Sequence, residues 1–358
     1  MFYSNYTFYH PFCQEVGIIC SKIKQLTKGE YCSNIKEYEQ IYLFWSNNVK
    51  NQSERLSMYI ADLHCDSLSR VNADNGLVTR YNMSREYPQL QLFAEFVPAR
   101  GESAQARRRK LMHYLDVFIS EVKRLRLVEV TNCHDLNFAI ECDKRSVILS
   151  VEGGGGLFAD SEELGTLYRA GLRVLGLAWD SNELAACSGE VDDYGLTDEG
   201  RAMVRRCSEL GIVLDVSHLS DRATRELLDL TAYPVIATHS NFRDVSGASR
   251  NLPLDIAKGI ARRGGVIGLN LCPSFLSESG RATVDDIYRQ IDYALENIGE
   301  NALAFGLDID GIDSYPEGFD EKSSIHDRLI DLLLERYGER ITERIAGLNA
   351  LEFFKNNI

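Results

Sequence analysis

Short apolar runs alternate with amphipathic stretches from residue 58 to the C-terminus. Apolar residues that recur at three- and four-residue spacing predict helices, and they do so over residues 104–127, 161–170, 198–210, 220–230, 254–263, 284–298, 324–337 and 341–356. Apolar runs short enough for buried strands lie at 59–64, 90–97, 146–152, 174–179, 212–218, 234–239, 265–272 and 302–308.

This alternation predicts the fold class. Eight strands that alternate with helices over about 300 residues favour an α/β protein, a (β/α)8 TIM-type barrel, with a doubly wound open sheet as the alternative. Thr197, Ser220 and Thr283 precede predicted helices and are expected N-caps. The segment 211–251 illustrates the unit, because its strand–helix–strand pattern brings the ends of two parallel strands side by side.

Residues 1–57 have a different composition from the rest of the chain. They are rich in Tyr, Asn, Lys and Cys and contain no clear strand, whereas Met58 opens the first regular strand. We therefore predict two parts: an irregular N-terminal extension over 1–57, disordered or translated from a start codon set too early, and a barrel domain over 58–358.

Composition excludes some classes of partner. The net charge is −14, which disfavours binding to nucleic acid or to an anionic membrane. No apolar run approaches the ~20 residues that a membrane-spanning helix needs. The nine cysteines have no paired spacing, so we expect reduced thiols and a cytoplasmic protein.

Polar residues that can bind metal lie at the ends of five predicted strands. The carboxyl ends of parallel strands are where α/β enzymes place their chemistry. Two of these residues, His64 and Asp66, are separated by one position and so face the same side of a strand. The full set is His64, Asp66, Glu152, His218, His239 and Asp308. The other histidines, His10, His113, His134 and His326, are expected at the solvated surface.

The convergence of these groups predicts a metal centre. Several carboxylates crowded at one barrel mouth are costly unless cations neutralise them. Histidines with carboxylates, and no convergent cysteine, suit a divalent ion such as Zn²⁺. Glu152 can bridge two ions ~3.5–4 Å apart, the spacing at which a shared water becomes hydroxide at neutral pH.

Several motifs, in matching order, resemble the membrane (renal) dipeptidase family of zinc metallopeptidases. The resemblance extends from about residue 59 to 354. It rests on QLFAEFVP at Gln91 and on eight further segments: HCD at His64, VEGG at Glu152, GLTDEGR at Gly195, LDVSHLSD at His218, VIATHSNFR at His239, SRNLPLD at Arg250, GGVIGLN at Gly264 and FGLDIDGI at Asp308.

The resemblance implies a hydrolase that cleaves dipeptides, including those with a D-residue or a dehydro residue at the C-terminal position. It makes His64 and Asp66 ligands of one zinc and Glu152 the bridge. His218 and His239 become ligands of the second zinc. Asp308 matches the catalytic acid that carries a proton, with Asp310 as the alternative from its position on the same face.

Substrate contacts are expected next to these ligands. Arg250 matches the family position that binds the substrate carboxylate, and a guanidinium in a loop beyond a ligand-bearing strand suits that task. The alternative for Arg250 is a surface ion pair with Asp244 or Asp255. Asn251 is a further candidate for substrate binding.

One position departs from the family pattern. Better-known members have a histidine at the end of the fourth strand, where this chain has Trp179. An indole N–H can donate a hydrogen bond but carries no charge. We therefore place Trp179 in the substrate pocket, with Asp180 and Asn182 as nearby polar candidates for its wall.

The resulting hypothesis is a cytoplasmic metallo-dipeptidase with two zinc ions and a small dipeptide substrate. The family resemblance also suggests a homodimer. Two alternatives stay open: a metal-dependent hydrolase of another small amide such as an N-acyl amino acid, and a catalytically silent binding barrel.

Overall fold

The computed structural model describes residues 58–73, 83–159, 161–319 and 324–358, and parallel strands lie at its centre. In chain order these strands are β1 (Ile60–Cys65), β2 (Gln89–Phe96), β3 (Val128–Glu129), β4 (Ser146–Glu152), β5 (Leu172–Gly176), β6 (Val213–Asp215), β7 (Val235–Ile236), β8 (Ile267–Leu269) and β9 (Leu303–Phe305). All the pairs between them are parallel, as strand–helix–strand connections require.

The order of the strands describes a nearly closed ring. It runs β7-β6-β5-β4-β2-β1-β9-β8, and β3 pairs with β4 outside this path. A parallel bridge between Ala237 and Ile267 joins the two ends of the path, next to β7 and β8. The prediction of a (β/α)8 barrel is confirmed, and the open doubly wound sheet is wrong.

Helices connect most of the strands. They are α1 (Ser67–Ala73), α2 (Ala104–Leu125), α3 (Cys133–Glu141), α4 (Glu162–Arg169), α5 (Asp198–Leu210), α6 (Asp221–Leu230), α7 (Leu254–Arg262), α8 (Pro273–Leu276), α9 (Val284–Asn297), α10 (Ile325–Glu343) and α11 (Asn349–Asn357), with a π-helix at Arg344–Leu348. The three predicted N-caps are confirmed: Thr197 and Ser220 accept a backbone N–H through their side chains, and Thr283 forms a capping box with Asp286.

Some short elements were not predicted. The strand β3 has two residues, too few for a recognisable pattern, and the helix α3 that follows it begins at the side-chain cap Asn132. The predicted break between the last two helices is confirmed at Gly338, whose φ of 72° and ψ of 177° are not helical. This residue kinks α10, with helical turns on both sides.

The barrel interior is apolar. Alternate residues of neighbouring strands, such as Leu63 of β1, Leu92 of β2 and Ile148 of β4, are fully buried in one cluster. Leu351 and Phe354 of the C-terminal helix α11 belong to the same cluster. Burial of apolar surface is worth roughly 25 cal/mol per Å², so this cluster fixes the strands whose carboxyl ends carry the polar residues.

The described residues can be compared with the expectations that the chain has no membrane-spanning helix and that its cysteines are reduced. None of its described helices combines the length and the apolar character needed to cross a membrane. All six cysteines in this part are free: Cys65, Cys133, Cys142, Cys187, Cys207 and Cys272. The predicted extension over 1–57 falls outside the described residues.

Candidate metal centre

The six polar residues predicted from strand ends come together at the carboxyl edge of the barrel. Glu152 is the last residue of β4, and His64 is in β1. His218, His239 and Asp308 each lie three residues beyond the last residue of β6, β7 and β9. The strands are thus shorter than the apolar runs suggest, and the loops that follow them carry these side chains.

Glu152 lies at the middle of the cluster. Its Oε1 is 2.6 Å from Nε2 of His218 and 3.3 Å from Nε2 of His239. Its Oε2 faces the other way, 3.7 Å from Nε2 of His64. The two oxygens of one carboxylate therefore face two different sets of side chains.

The second set surrounds His64. Its Nε2 is 3.7 Å from Oδ2 of Asp66 and 3.9 Å from Oδ1 of Asp308. The His64 and His239 rings lie close together, with centroids 3.8 Å apart, so the two sets are contiguous.

Two trios in the described residues have ligand atoms within 4.8 Å of one another and can hold a metal ion. One is His64, Glu152 and His239, and the other is His64, Asp66 and Asp308. Asp308, which is predicted to transfer a proton, is thus also one of the groups that can bind metal.

Several atoms at the centre are buried without a partner in the described part of the chain. They are Nε2 of His64, Oδ1 of Asp66 and Oε2 of Glu152. A buried polar atom without a partner costs about 1–3 kcal/mol. Ligands at Zn²⁺ bond lengths of about 2.0–2.2 Å lie ~3.4 Å apart in a tetrahedron, close to the observed separations of 3.3 and 3.7 Å. The residues therefore fit a divalent cation.

The charges of the centre lead to the same conclusion. Burial lowers the pKa of His64, but neighbouring carboxylates, Glu152 first, outweigh burial and raise it to about 10. Burial, and then the charge of Glu152, raise the pKa of Asp66 to about 6. Without a cation, protons must neutralise this cluster, and a bound divalent ion would replace them.

On the other side of the centre, the pKa of the histidine is lowered instead of raised. Burial, followed by the positive charge of Arg250, lowers the pKa of His218 to about 4. Burial favours the neutral form of Glu152, yet His218 and His64 hold its pKa well below the ordinary value. A neutral imidazole facing an ionised carboxylate is the state in which both bind metal.

Asp215, which sequence reasoning missed, fixes the orientation of His239. Oδ2 of Asp215 accepts a hydrogen bond from the Thr238 hydroxyl at 2.6 Å, and that hydroxyl oxygen lies 2.8 Å from Nδ1 of His239. A hydroxyl has one proton. Since Thr238 donates it to Asp215, its oxygen accepts from Nδ1–H, and Nε2 of His239 is left with the lone pair that a metal ion would bind.

Asp215 also determines where β6 and β7 stop pairing. Its Oδ1 accepts from the backbone N–H groups of Ser217 and Thr238 at 3.0 and 2.9 Å. Each of these residues directly precedes a histidine of the centre. The signal in the sequence is an aspartate inside an apolar strand, LDVSH, where a buried carboxylate needs donors.

Asp308 is held in an uncommon backbone conformation. Its φ is 61°, in the left-handed region that residues other than glycine rarely adopt. Its Oδ2 accepts a hydrogen bond from Nδ2 of Asn270 at 2.9 Å, and its Oδ1 faces His64. The alternative residue, Asp310, accepts from the Ser67 hydroxyl instead, at 2.7 Å.

Arg250 lies against the centre. Its Nη2 is 3.1 Å from Nε2 of His239, and its guanidinium lies over the ring of Phe275. Nη1 is buried without a hydrogen-bond partner in the described chain. The predicted alternative, an ion pair with Asp244 or Asp255, is wrong, because Tyr293 donates to Asp244 and Arg225 pairs with Asp255.

Trp179 lies at the rim of the centre. Its ring centroid is 6.0 Å from that of His218 and 4.7 Å from that of Phe96, which it meets edge to face. About a third of Trp179 is exposed, 36%. The two aromatic rings therefore form an accessible apolar wall beside the polar cluster.

The remaining polar candidates engage the backbone. Asn251 donates to the carbonyls of Ser246 and Phe275 and leaves its Oδ1 buried without a partner in the described residues. Asp180 accepts from the N–H groups of Ala99 and Arg100, and Asn182 accepts from Leu184. These side chains hold the loops at the rim, and the role of Asn251 in substrate binding stays a prediction.

The sequence is similar to known proteins over most of its length. The family model described as membrane dipeptidase (peptidase family M19) matches residues 54–357. A curated relative, an uncharacterized protein in the pqqA 5′ region of Klebsiella pneumoniae, is 29% identical over 244 residues, 65% of this chain and 89% of that protein.

Solved structures share the fold. A metallo peptidase from Rhodobacter sphaeroides, liganded with a phosphinate mimic of the dipeptide L-Ala-D-Ala, has a TM-score of 0.74 at 21% identity and covers 84% of this chain and 99% of its own. The probable dipeptidase PvdM from Pseudomonas aeruginosa has a TM-score of 0.73 at 16% identity, covering 86% and 97%.

Proposed function

Because the chain belongs to the membrane dipeptidase family (peptidase family M19), whose members are metallopeptidases, we propose that it hydrolyses dipeptides at a centre of two zinc ions with Glu152 between them. One observation carries this proposal. The two oxygens of Glu152 face separate sets of ligand atoms, His218 and His239 on one side and His64 on the other.

Each ion is assigned to one of these sets. His64 and Asp66 would hold the first ion, and His218 and His239 would hold the second, with one carboxylate oxygen of Glu152 available to each set. The partnerless atoms of His64, Asp66 and Glu152 all belong to the first set and support it. When bound, zinc acts as a Lewis acid on the peptide carbonyl and lowers the pKa of a water that it holds.

Arg250 binds the C-terminal carboxylate of the dipeptide. Its buried Nη1 has no partner in the described chain, so a bidentate carboxylate would satisfy it. Burial lowers the pKa of Arg250, while the negative charges of Glu152 and Asp308 act in the opposite direction, and the guanidinium stays charged. The substrate is therefore held by its end, which places its peptide bond near His239.

Asp308 transfers the proton. Asn270 holds one carboxylate oxygen, and the other faces His64 and the centre. The free oxygen, Oδ1, accepts a proton from the attacking water and delivers it to the leaving amine. The left-handed backbone of Asp308 costs about 1–3 kcal/mol, a strain that is typical of residues at functional sites.

The stereochemistry of the substrate is part of the proposal. The Rhodobacter sphaeroides metallo peptidase binds a mimic of L-Ala-D-Ala. We extend this to the present chain and propose that dipeptides with a D-residue at the C-terminal position are among its substrates. A homodimer and a cytoplasmic location stay predictions from the sequence.

A second substrate class is favoured by Trp179. Its indole and Phe96 form an apolar wall where better-known relatives place a histidine, and the wall suits the acyl chain of an N-acyl amino acid. Both substrate classes end in the carboxylate that Arg250 binds. They differ in the free amino group, which only the dipeptide carries.

A substrate panel with the zinc-loaded protein tests the proposal. It contains L-Ala-L-Ala, L-Ala-D-Ala, the C-terminal amide of L-Ala-L-Ala and N-acetyl-L-alanine. We expect hydrolysis of the two free dipeptides and at least ~10-fold slower hydrolysis of the amide, which lacks the carboxylate for Arg250. Hydrolysis of N-acetyl-alanine alone would favour the second class, and inactivity on all four would contradict both.

A further inference from the structure

A buried hydrogen bond between two side chains lies behind the metal centre, and one of its members is in β1. Asp62 and His326 are both 0% exposed, and Oδ2 of Asp62 lies 2.8 Å from Nε2 of His326. The expectation that His326 lies at the solvated surface is wrong. It is the second residue of α10, and its partner lies 264 residues earlier in the chain.

The other oxygen of Asp62 holds two backbone groups. Oδ1 accepts from the N–H of His64 at 3.2 Å and from the N–H of Leu307 at 3.0 Å. His64 is a candidate ligand, and Leu307 directly precedes Asp308. A single carboxylate thus connects the backbone of His64 to that of the residue before Asp308.

These two hydrogen bonds lie where the ladder between β1 and β9 is interrupted. The strands β1 and β9 pair through Asp62 and Phe305, and an isolated bridge joins Cys65 to Ile309 further along. Between these two points the Asp62 carboxylate accepts the N–H groups that a continuous ladder would have paired. Buried backbone donors need such a partner.

The orientation of Asp62 depends in turn on His326. A carboxylate only accepts hydrogen bonds, so His326 has its proton on Nε2 and donates it to Oδ2. Nε2 of Gln89 lies 3.2 Å from the same Nε2 of His326, but it is only 2.6 Å from Oε1 of Gln91, to which it donates, and Oε1 of Gln89 accepts from Ser84 N. His326 therefore supplies the side-chain donor that fixes one oxygen of Asp62, leaving the other for the backbone.

We propose that His326 is a positioning residue that acts through Asp62 to fix the backbone of His64 and Asp308. Asp215 does the same for the opposite half of the centre, where its carboxylate holds the N–H groups that precede His218 and His239. Each half of the centre is thus aligned by one buried aspartate. The inference rests on the proposed function for its catalytic consequence.

The test compares two substitutions at one position. His326→Gln places an amide Nε2–H where the imidazole Nε2–H was, and His326→Leu removes the donor. Tyr59→Phe is the control, because it removes a buried hydroxyl that hydrogen-bonds Ser146 at 2.8 Å in β4, remote from His64 and Asp308. All three variants lose stability, but only His326→Leu loses the donor to Asp62.

The first readout is hydrogen exchange of the metal-free protein, in peptides that cover residues 60–66 and 303–310. We expect faster exchange in these peptides for His326→Leu, and near-wild-type exchange for His326→Gln and Tyr59→Phe. This readout needs neither metal nor substrate. It therefore tests the positioning role even if the proposed dipeptidase activity is absent.

The second readout is the affinity for zinc, together with kcat and KM. Loss of a contact that orients a metal ligand costs about 10- to 100-fold in metal affinity or activity. For His326→Leu we expect this loss in zinc affinity and in kcat, with a smaller change in KM. Equal behaviour of the Gln and Leu variants in exchange and zinc affinity, or the same changes in Tyr59→Phe, would overturn the proposal.

Discussion

Oε1 of Glu152 lies 2.6 Å from Nε2 of His218, and the opposite oxygen of the same carboxylate faces His64. This relationship makes Glu152 the common member of two sets of ligand atoms. Its pKa stays well below the ordinary value despite burial, because the adjacent histidines favour the charged form. A buried negative charge between His64 on one side and His218 and His239 on the other supports the proposal that Glu152 lies between two divalent ions.

Substitution of Arg250 tests substrate binding. Arg250→Met removes the proposed carboxylate contact, and a hydrogen bond to a charged group is worth about 1.5–3 kcal/mol. We therefore expect kcat/KM for L-Ala-L-Ala to fall by about 10- to 150-fold, mostly through KM. Arg250→Lys, which keeps the charge but loses the planar fork, should recover part of this loss. Unchanged KM in Arg250→Met would contradict the assignment.

Substitution of Gly311 tests how closely the carboxylates of Asp66 and Asp308 are packed. A Cβ built on Gly311 would overlap Oδ1 of Asp308 and Oδ2 of Asp66. Gly311→Ala must therefore displace one of them, and a displacement of about 1 Å can cost ~100-fold in rate. We expect a loss of this size in kcat/KM, measured with zinc in excess.

Gly247→Ala is the matched control for this experiment. A Cβ there meets only Oε1 of Glu278, at an ordinary distance of 3.5 Å. Its activity should equal that of the wild type. Full activity in Gly311→Ala would mean that the two carboxylates have room to move and that their positions are not critical.

The fold was predictable because its pattern is local. Several apolar runs of the barrel are followed by helices with recognisable caps, such as Thr197 and Ser220. The strand ends were less predictable. The apolar run at 212–218 continues past Asp215, whereas pairing stops at Asp215 because its carboxylate binds the next backbone N–H groups.

The contact between His326 and Asp62, which supports the site, was not predictable because the two residues are far apart in the sequence. His326 is a single histidine on an amphipathic helix, a pattern typical of a solvated side chain. Its burial depends on Asp62, which is distant in the chain and close only in the folded protein. The metal-competent residues themselves were predictable because strand ends place them at one edge of the barrel.

Glu95 provides a test of stability against pH. It is fully buried in β2, and neither carboxylate oxygen has a hydrogen-bond partner in the described chain. Burial raises its pKa well above the ordinary value, so the folded protein keeps the proton that the unfolded chain releases. Stability therefore falls as the pH rises above the pKa of Glu95 in the unfolded chain, until the pH reaches its pKa in the folded protein.

Glu95→Gln removes this dependence. We expect the variant to unfold at about the wild-type temperature near pH 4 and at an increasingly higher temperature than the wild type as the pH is raised to 8. The difference grows by up to ~1.4 kcal/mol per pH unit. Glu141→Gln, at an exposed position of α3, is the control and should show no such trend. A difference independent of pH would contradict a protonated Glu95.

The central claim is most directly tested by the zinc content of the purified, zinc-loaded protein, measured by mass spectrometry of the metal per chain. The account predicts about two zinc ions per wild-type chain, and about one or fewer in Glu152→Gln, in which a neutral amide replaces the shared carboxylate. A wild-type chain that retains one zinc or none, or a Glu152→Gln chain that retains two, would contradict the account.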